Sequence, residues 1–227
     1  MIAMRTVASW FQVRLAGLLL VSAVSCGLLN SDITKVTFNL PTKHYVLTAP
    51  VGLPPTKVTC GAGGEVATCP ALPNVSISCD DSLCTAHLPV TVSQMMNLKM
   101  EVPALSSVNS QTLADITLES MSYSVANTTS IPMPALSLYL APAGVTDPAN
   151  AAAQKFGTVP AIPANSTASG DVVKEPGADA LFIMYGQNFG TSFNFIASTT
   201  IVVPSGTPAT GTVDITINGQ VAAKLSL

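Results

Sequence analysis

Gly211-Thr-Val-Asp-Ile-Thr-Ile-Asn-Gly-Gln-Val-Ala-Ala-Lys-Leu-Ser-Leu227 closes the chain, and how it is read decides the fold. Asn218-Gly219 is the commonest two-residue signal for a tight hairpin. Folded there, however, Val213, Ile215 and Ile217 would face Lys224, Ala222 and Gln220, and the apolar residues beyond the turn would point away. Read as one long bent strand, Val213, Ile215, Ile217, Val221, Ala223, Leu225 and Leu227 keep a single face. A one-residue change of phase moves a whole apolar set from core to solvent, so the single strand is the preferred reading.

The same period of two recurs upstream. Thr34–Leu40 aligns Val36, Phe38 and Leu40, Thr85–Val92 has strand character, and Ala135–Leu140 aligns Leu136, Leu138 and Leu140. Thr199–Val203 is a further strand. In Leu113–Val125, Ile116 and Leu118 hold one phase while Met121, Tyr123 and Val125 hold the other; a β-bulge near Glu119-Ser120 produces that slip. Helix is scarce. Pro148–Phe156 is one candidate, with Asp147 as N-cap, Lys155 in the last turn and Gly157 beyond it. Ala178–Phe189 is a second, where Leu181, Tyr185 and Phe189 share a face. Pro160–Gly170 is low in complexity and reads as a surface loop. The expected fold is mainly β: an antiparallel β-sandwich with one or two short helices, occupying 33–227 as a single domain.

Composition bounds the function. Of 227 residues, 48% are hydrophobic and 9% charged, with a net charge of −3, against roughly a quarter charged in ordinary soluble domains. No basic run follows Arg14, so neither nucleic acid nor a polybasic lipid contact has its electrostatic footprint. The sole tryptophan, Trp10, lies in the N-terminal segment, which removes the usual stacking platform for sugars.

That segment, residues 1–25, has the layout of an export signal. Arg5 and Arg14 make it positive, and Leu15–Val24 supplies an apolar run of about ten residues, too short to span a bilayer. Ala23-Val-Ser-Cys26 resembles the bacterial lipobox, although Ala23 stands where that motif usually has Leu. The resemblance implies that Cys26 becomes the acylated first residue of the mature chain, carrying a palmitate-type group, with 26–32 as a tether. An ordinary signal cleaved nearby, leaving Cys26 free, is the alternative. Gly27 in place of Asp after the cysteine implies sorting to an outer membrane. The layout resembles small cell-envelope lipoproteins of Gram-negative bacteria, such as the myxobacteria; the likeness rests on the lipobox and transfers no binding residues.

The five cysteines are Cys26, Cys60, Cys69, Cys79 and Cys84. Lipidation of Cys26 accounts for the odd one, leaving four to pair in an oxidising compartment. Cys60–Cys69 with Cys79–Cys84 is the favoured pairing. Folding Val75–Cys79 onto Cys84–Leu88 around a four-residue loop puts Cys79 opposite Cys84, Ile77 opposite Ala86 and Val75 opposite Leu88. Residues 48–73, rich in Pro, Gly and Thr, read as an irregular excursion tied by those bonds. The spacings lack the close pairs of a zinc site.

Catalytic motifs are sparse. His44 and His87 belong to no H-E-x-x-H, and there is no G-x-S-x-G elbow. Gly61-Ala-Gly-Gly64 lacks the rest of a phosphate loop, and Asp80-Asp81 suits a turn better than calcium. Asn74, Asn127 and Asn165 head glycosylation-type triplets, expected to be idle in a bacterium. No cofactor or metal is called for. The expected function is a membrane-anchored, non-catalytic structural or protein-binding role. A lipid-binding module with an apolar cavity is the alternative. A hydrolase with a dispersed site ranks third; it requires His44 or His87 near a Ser and an Asp in a cleft.

Overall fold

The structure, a computed structural model, describes residues 35–48, 58–60, 69, 71, 75–106, 113–208 and 210–225. The expected signal 1–25, the tether 26–32 with Cys26, and Gly61–Gly64 lie outside the described residues. In chain order the strands are β1 (Lys35–Asn39), β2 (Lys43–Thr48), β3 (Ser76–Asp80), β4 (Leu83–Met96), β5 (Leu113–Asn127), β6 (Leu136–Pro142), β7 (Gln154–Val159), β8 (Ser166–Asp171), β9 (Val173–Lys174), β10 (Phe193–Pro204) and β11 (Thr212–Leu225). One-turn helices α1 (Leu98–Glu101) and α2 (Pro103–Ser106) follow β4, and α3 (Ala178–Gly186) follows β9.

The C-terminal segment is a single strand, and β11 organises the first sheet, ordered β1-β11-β5-β8, with β2 also pairing β11. β1 and β2 lie end to end along it, Lys35 opposite Lys224 and Thr48 opposite Thr212. Val213, Ile215, Ile217, Val221 and Ala223 are all buried, as the preferred phase requires. Pairing with β5 shifts register between Gln220, opposite Ser120, and Val221, opposite Leu118. Glu119 is therefore the extra residue of a bulge, which lets Leu118 and Met121 both reach the core. Its carboxylate meets Lys35 Nζ at 2.8 Å. The hydrogen bond from Lys35 holds that carboxyl below the usual range.

The second sheet runs β3-β4-β10-β6-β7-β9. Its inner face and that of the first sheet share one apolar core, with Ile116, Val125, Leu138, Phe156, Phe193 and Ile215 among its members; burying each such side chain contributes about 1.5–3 kcal/mol. A smaller cluster of Ala86, Ile131, Ile201 and Val203 lies toward the other end of β4 and β10. The molecule is a mainly β, antiparallel two-sheet sandwich.

Three expectations about local structure are corrected. Pro148–Phe156 is not a helix: the Asp147 and Asn150 carboxyl and amide oxygens accept the Ala149 and Ala152 N–H groups at 2.9 Å, making two Asx turns. Those turns satisfy the backbone locally in place of helical bonds. Phe156 then enters β7, where its ring meets Phe195 edge-on at 5.5 Å. Pro160–Gly170 is not all loop, because Ser166–Asp171 pairs with β5 as β8. The helix expected over Ala178–Phe189 ends at Gly186, though Leu181 and Phe189 are buried as that face required.

Candidate functional site

Cys60, Cys69, Cys79 and Cys84 converge on the β3–β4 hairpin. Asp81 and Ser82 form its turn with φ of 49° and 66°, the left-handed pair of a type I′ turn, to which Asp is well suited. The connection is two residues, not the four expected, but the register is unchanged: Cys79 opposite Cys84 and Ile77 opposite Ala86. Alternation sends both cysteines to one face and Ser76, Ser78, Thr85 and His87 to the other.

The pairing differs from the favoured one. The bonds are Cys60–Cys79 and Cys69–Cys84, with Cα separations of 5.9 and 5.6 Å. The physical reason lies in where the 58–60 segment runs. Thr59 bridges Leu83, the Cys60 N–H donates to Ser82 O at 3.1 Å, and the Cys84 N–H donates to Val58 O at 2.9 Å. Ser205 secures the same segment, its Oγ accepting from the Val58 N–H at 3.0 Å. Cys60 is thus delivered to the hairpin as an extra short rung, where a Cys79 thiol awaits it. Each bond ties the excursion to the sheet; the favoured pairing would have closed excursion and hairpin separately. Cys84 is fully buried. The sulfurs of Cys60, Cys69 and Cys84 lie within 4.8 Å of one another, but thiolate is the metal-binding form, so disulfide formation and metal binding exclude each other.

On the opposite face, His87 is partly exposed and has polar neighbours. Its Nε2 lies 2.7 Å from Ser78 Oγ and 3.2 Å from Asp80 Oδ2, and Ser78 Oγ donates to Asp80 Oδ1 at 2.8 Å. A Ser, a His and an Asp therefore meet. They do not form a relay, because Ser and Asp approach the same ring nitrogen and the hydroxyl donates to the carboxylate instead of to the imidazole; a catalytic triad needs the acid on Nδ1. The group lies on an open strand face, with 47% of the Asp80 side chain exposed. The other histidine, His44, pairs with Asp214 at 2.5 Å across β2 and β11, more than half exposed. The cluster was within reach of sequence reasoning: Ser78 and His87 were already on one face, and Asp80 continues that phase.

Asn127 is buried; its Nδ2 donates to Ile131 O and Pro163 O at 3.0 Å, and its Oδ1 accepts from Thr129, which leaves no amide free for a glycan. Asn165 has φ of 50°, beside an open depression of about 460 Å³ lined by Asn127, Thr128, Ser166 and Thr167. Asn74 lies outside the described residues. Between the sheets, a void bounded by Leu40, Met96, Met121, Phe182, Phe193 and Ile217 measures about 10 Å³. A second, near Leu47, Ile131 and Ile201, is of the same size. Each holds one water at most. Burial pushes the Tyr45 phenol up to about 12. Among the described residues no helix is long and apolar enough to cross a membrane.

No protein-family model matches the chain, and no curated protein matches it. Among solved structures it is similar to a chain of turnip yellow mosaic virus, with 16% identity over 76% of this chain and 90% of that one, at a TM-score of 0.27. It is similar to a chain of desmodium yellow mottle tymovirus at 12% identity, over 80% and 98% of the two chains, with the same TM-score of 0.27. A structure of carbohydrate-binding modules from the β-sandwich superfamily matches at 8% identity, over 85% and 56%, also with a TM-score of 0.27. Likenesses this distant carry no argument, and the two-sheet assignment rests on the strand registers.

Proposed function

We propose that this chain is an exported lipoprotein, held on a cell-envelope membrane by an acyl group on Cys26, whose sandwich serves a non-catalytic structural or protein-binding role. The observation that carries the reading is the cysteine balance. Five cysteines are present and four are consumed in two disulfides. Cys26, the one directly after the lipobox-like Ala23-Val-Ser, has no cysteine left in the chain to bond. Two disulfides also favour an oxidising compartment outside the cytoplasm. Gly27 fits sorting to an outer membrane.

The rivals find less support. A lipid-shuttling module wants a cavity of acyl dimensions, and the two voids described between the sheets are about 10 Å³ each. A hydrolase wants Ser78, His87 and Asp80 in relay order, and their hydrogen bonds run otherwise. The test is growth of expressing cells with a clickable fatty acid. Wild-type protein should take up the label and Cys26→Ala should not. Equal labelling of the two would overturn the anchor.

A further inference from the structure

The two ends of the sandwich differ. At one end β1 begins and β11 finishes, with Lys35 opposite Lys224; β4 ends there and β10 starts, with Met96 opposite Phe193. Helices α1, α2 and α3 cap the sheets at this end: the Lys99 N–H donates to Phe189 O, Tyr185 lies 5.3 Å from Phe193 ring to ring, and Gly186 packs on Ile116. At the other end lie the Asp81-Ser82 turn, Thr48, Asn127 and Thr212.

The exposed methionines among the described residues lie at the first end, whereas the exposed Val46 and Val202 lie toward the second. Met100 of α1 is 83% exposed, Met95 at the end of β4 63%, and Met184 on α3 49%. A soluble surface gains nothing from three solvated methionines on three neighbouring elements, whereas a flexible, polarisable side chain suits an adaptable apolar contact. The lysines divide the same way, although Glu101, Asp115, Glu119 and Asp179 accompany them on this side. Lys35, Lys43, Lys155 and Lys174 are each ion-paired. Lys99 has no acidic partner among the described residues, Lys224 stands opposite Asp115 in the β5–β11 ladder, and both belong to the first end. The second end has none of the described lysines, and Asp80, Asp81 and Asp214 lie in its half.

The chain itself says what covers such a face. Lys35 opens β1 at the first end, nine residues after Cys26. Fully extended, that stretch reaches only about 30 Å. Resting on the acyl-anchor reading, we propose that this end is a membrane-docking face: it sits on a phospholipid surface through its apolar side chains, with Met100 and Met95 in the headgroup–acyl boundary and Lys99 and Lys224 beside lipid phosphates. Apolar side chains in the interface and lysines above it are the usual division of labour in surface-bound proteins. The second end, with its acidic hairpin and the Ser78–Asp80–His87 cluster, is then turned to the aqueous side.

Once the signal is removed the mature chain has no tryptophan, since Trp10 is the sole one, so a single introduced tryptophan reports its own surroundings. Full-length Met100→Trp and Thr210→Trp proteins, lipidated in cells, are reconstituted into phosphatidylethanolamine–phosphatidylglycerol vesicles with and without brominated acyl chains. Flotation reads anchoring and emission reads docking. The expected result is a blue shift and bromine quenching for Met100→Trp and neither for Thr210→Trp, with quenching lost when Lys99→Glu and Lys224→Glu are added. Met95→Trp replaces Met100→Trp should the latter fail to fold by circular dichroism. Protein that floats while its tryptophan at 100 or 95 stays unquenched would overturn the docking face and leave the anchor standing; a protein partner for the methionines predicts that outcome. Quenching of Thr210→Trp in place of Met100→Trp would reverse the orientation and overturn it too. Protein that does not float would overturn anchor and docking together.

Discussion

Cys79 and Cys84 stand directly opposite each other in the β3–β4 ladder, and each is bonded to a cysteine from outside the hairpin. The arrangement turns a two-stranded edge into a clasp, because β3 and β4 each hold the preceding excursion by a separate covalent tie. The bonds span 19 and 15 residues, and closing loops of that size restricts the unfolded chain by about 3 kcal/mol apiece. Proteolysis without reduction should yield cross-linked peptides joining Cys60 to Cys79 and Cys69 to Cys84. The Cys60→Ser/Cys79→Ser pair should lower the denaturation midpoint accordingly. A Cys79–Cys84 peptide would contradict the clasp.

Tyr45 carries a buried hydroxyl with no hydrogen-bond partner among the described residues. An orphaned buried donor costs about 1–3 kcal/mol, so Tyr45→Phe should stabilise the fold. Alkaline pH sharpens the test. The folded-state pKa is raised from 10.0 to about 12, so between those values the unfolded chain has lost a proton that the folded one retains. Stability falls as pH rises through the window, by at most about 2–3 kcal/mol. The advantage of Tyr45→Phe in urea titrations should therefore widen from pH 9 to pH 11. A gap that stays constant would place the hydroxyl in contact with water or a partner.

Gly186 ends α3 where a helix former would otherwise be favoured by about 1 kcal/mol. A Cβ there would lie 2.3 Å from Ile116 Cγ2, on a side chain that is itself fully buried. Overpacking of this kind costs about 1–3 kcal/mol, so the clash outweighs propensity. Gly186→Ala should lower the melting temperature, and Gly186→Ala with Ile116→Ala should recover part of the loss. A more stable Gly186→Ala would mean that α3 and β5 separate more readily than their packing implies.

Lys43 is a buried ammonium, its side chain 5% exposed, paired with Glu101 at 3.0 Å. Glu101 Oε1 also accepts the Asn97 N–H at 2.9 Å, which closes the first turn of α1. Glu101→Gln keeps that acceptor and removes the charge, stranding the lysine at a cost of about 2–4 kcal/mol. Lys43→Met combined with Glu101→Gln should be the more stable of the two variants by chemical denaturation. If the double variant is the weaker, the ion pair contributes net stability of its own.

Much of the sandwich was legible because register is arithmetic. The phase of Val213 through Ala223 called for one strand and not a hairpin, the phase slip between Leu118 and Met121 put a bulge near Glu119-Ser120, and the Val75–Leu88 alternation gave the hairpin register. What escaped depends on signals that two structures share. Asp147-Pro148 suits an Asx turn as well as a helix start. Ser166–Asp171 has no large apolar phase because an edge strand of small residues covers little core. The cysteine pairing depends on the path of the 58–60 segment, which no local pattern specifies. Of the candidate site, Cys26 is read from the sequence alone, whereas the meeting of Ser78 and Asp80 at His87 Nε2 emerges only once β3 and β4 are folded.

The acyl anchor is the claim on which the docking orientation depends, and intact mass spectrometry of protein extracted from membranes tests it most directly. The account predicts a chain that starts at Cys26 with added fatty-acyl mass on that residue and two fewer hydrogens for each of two disulfides. A chain that still starts at Met1, or one that carries an unmodified Cys26, would contradict it.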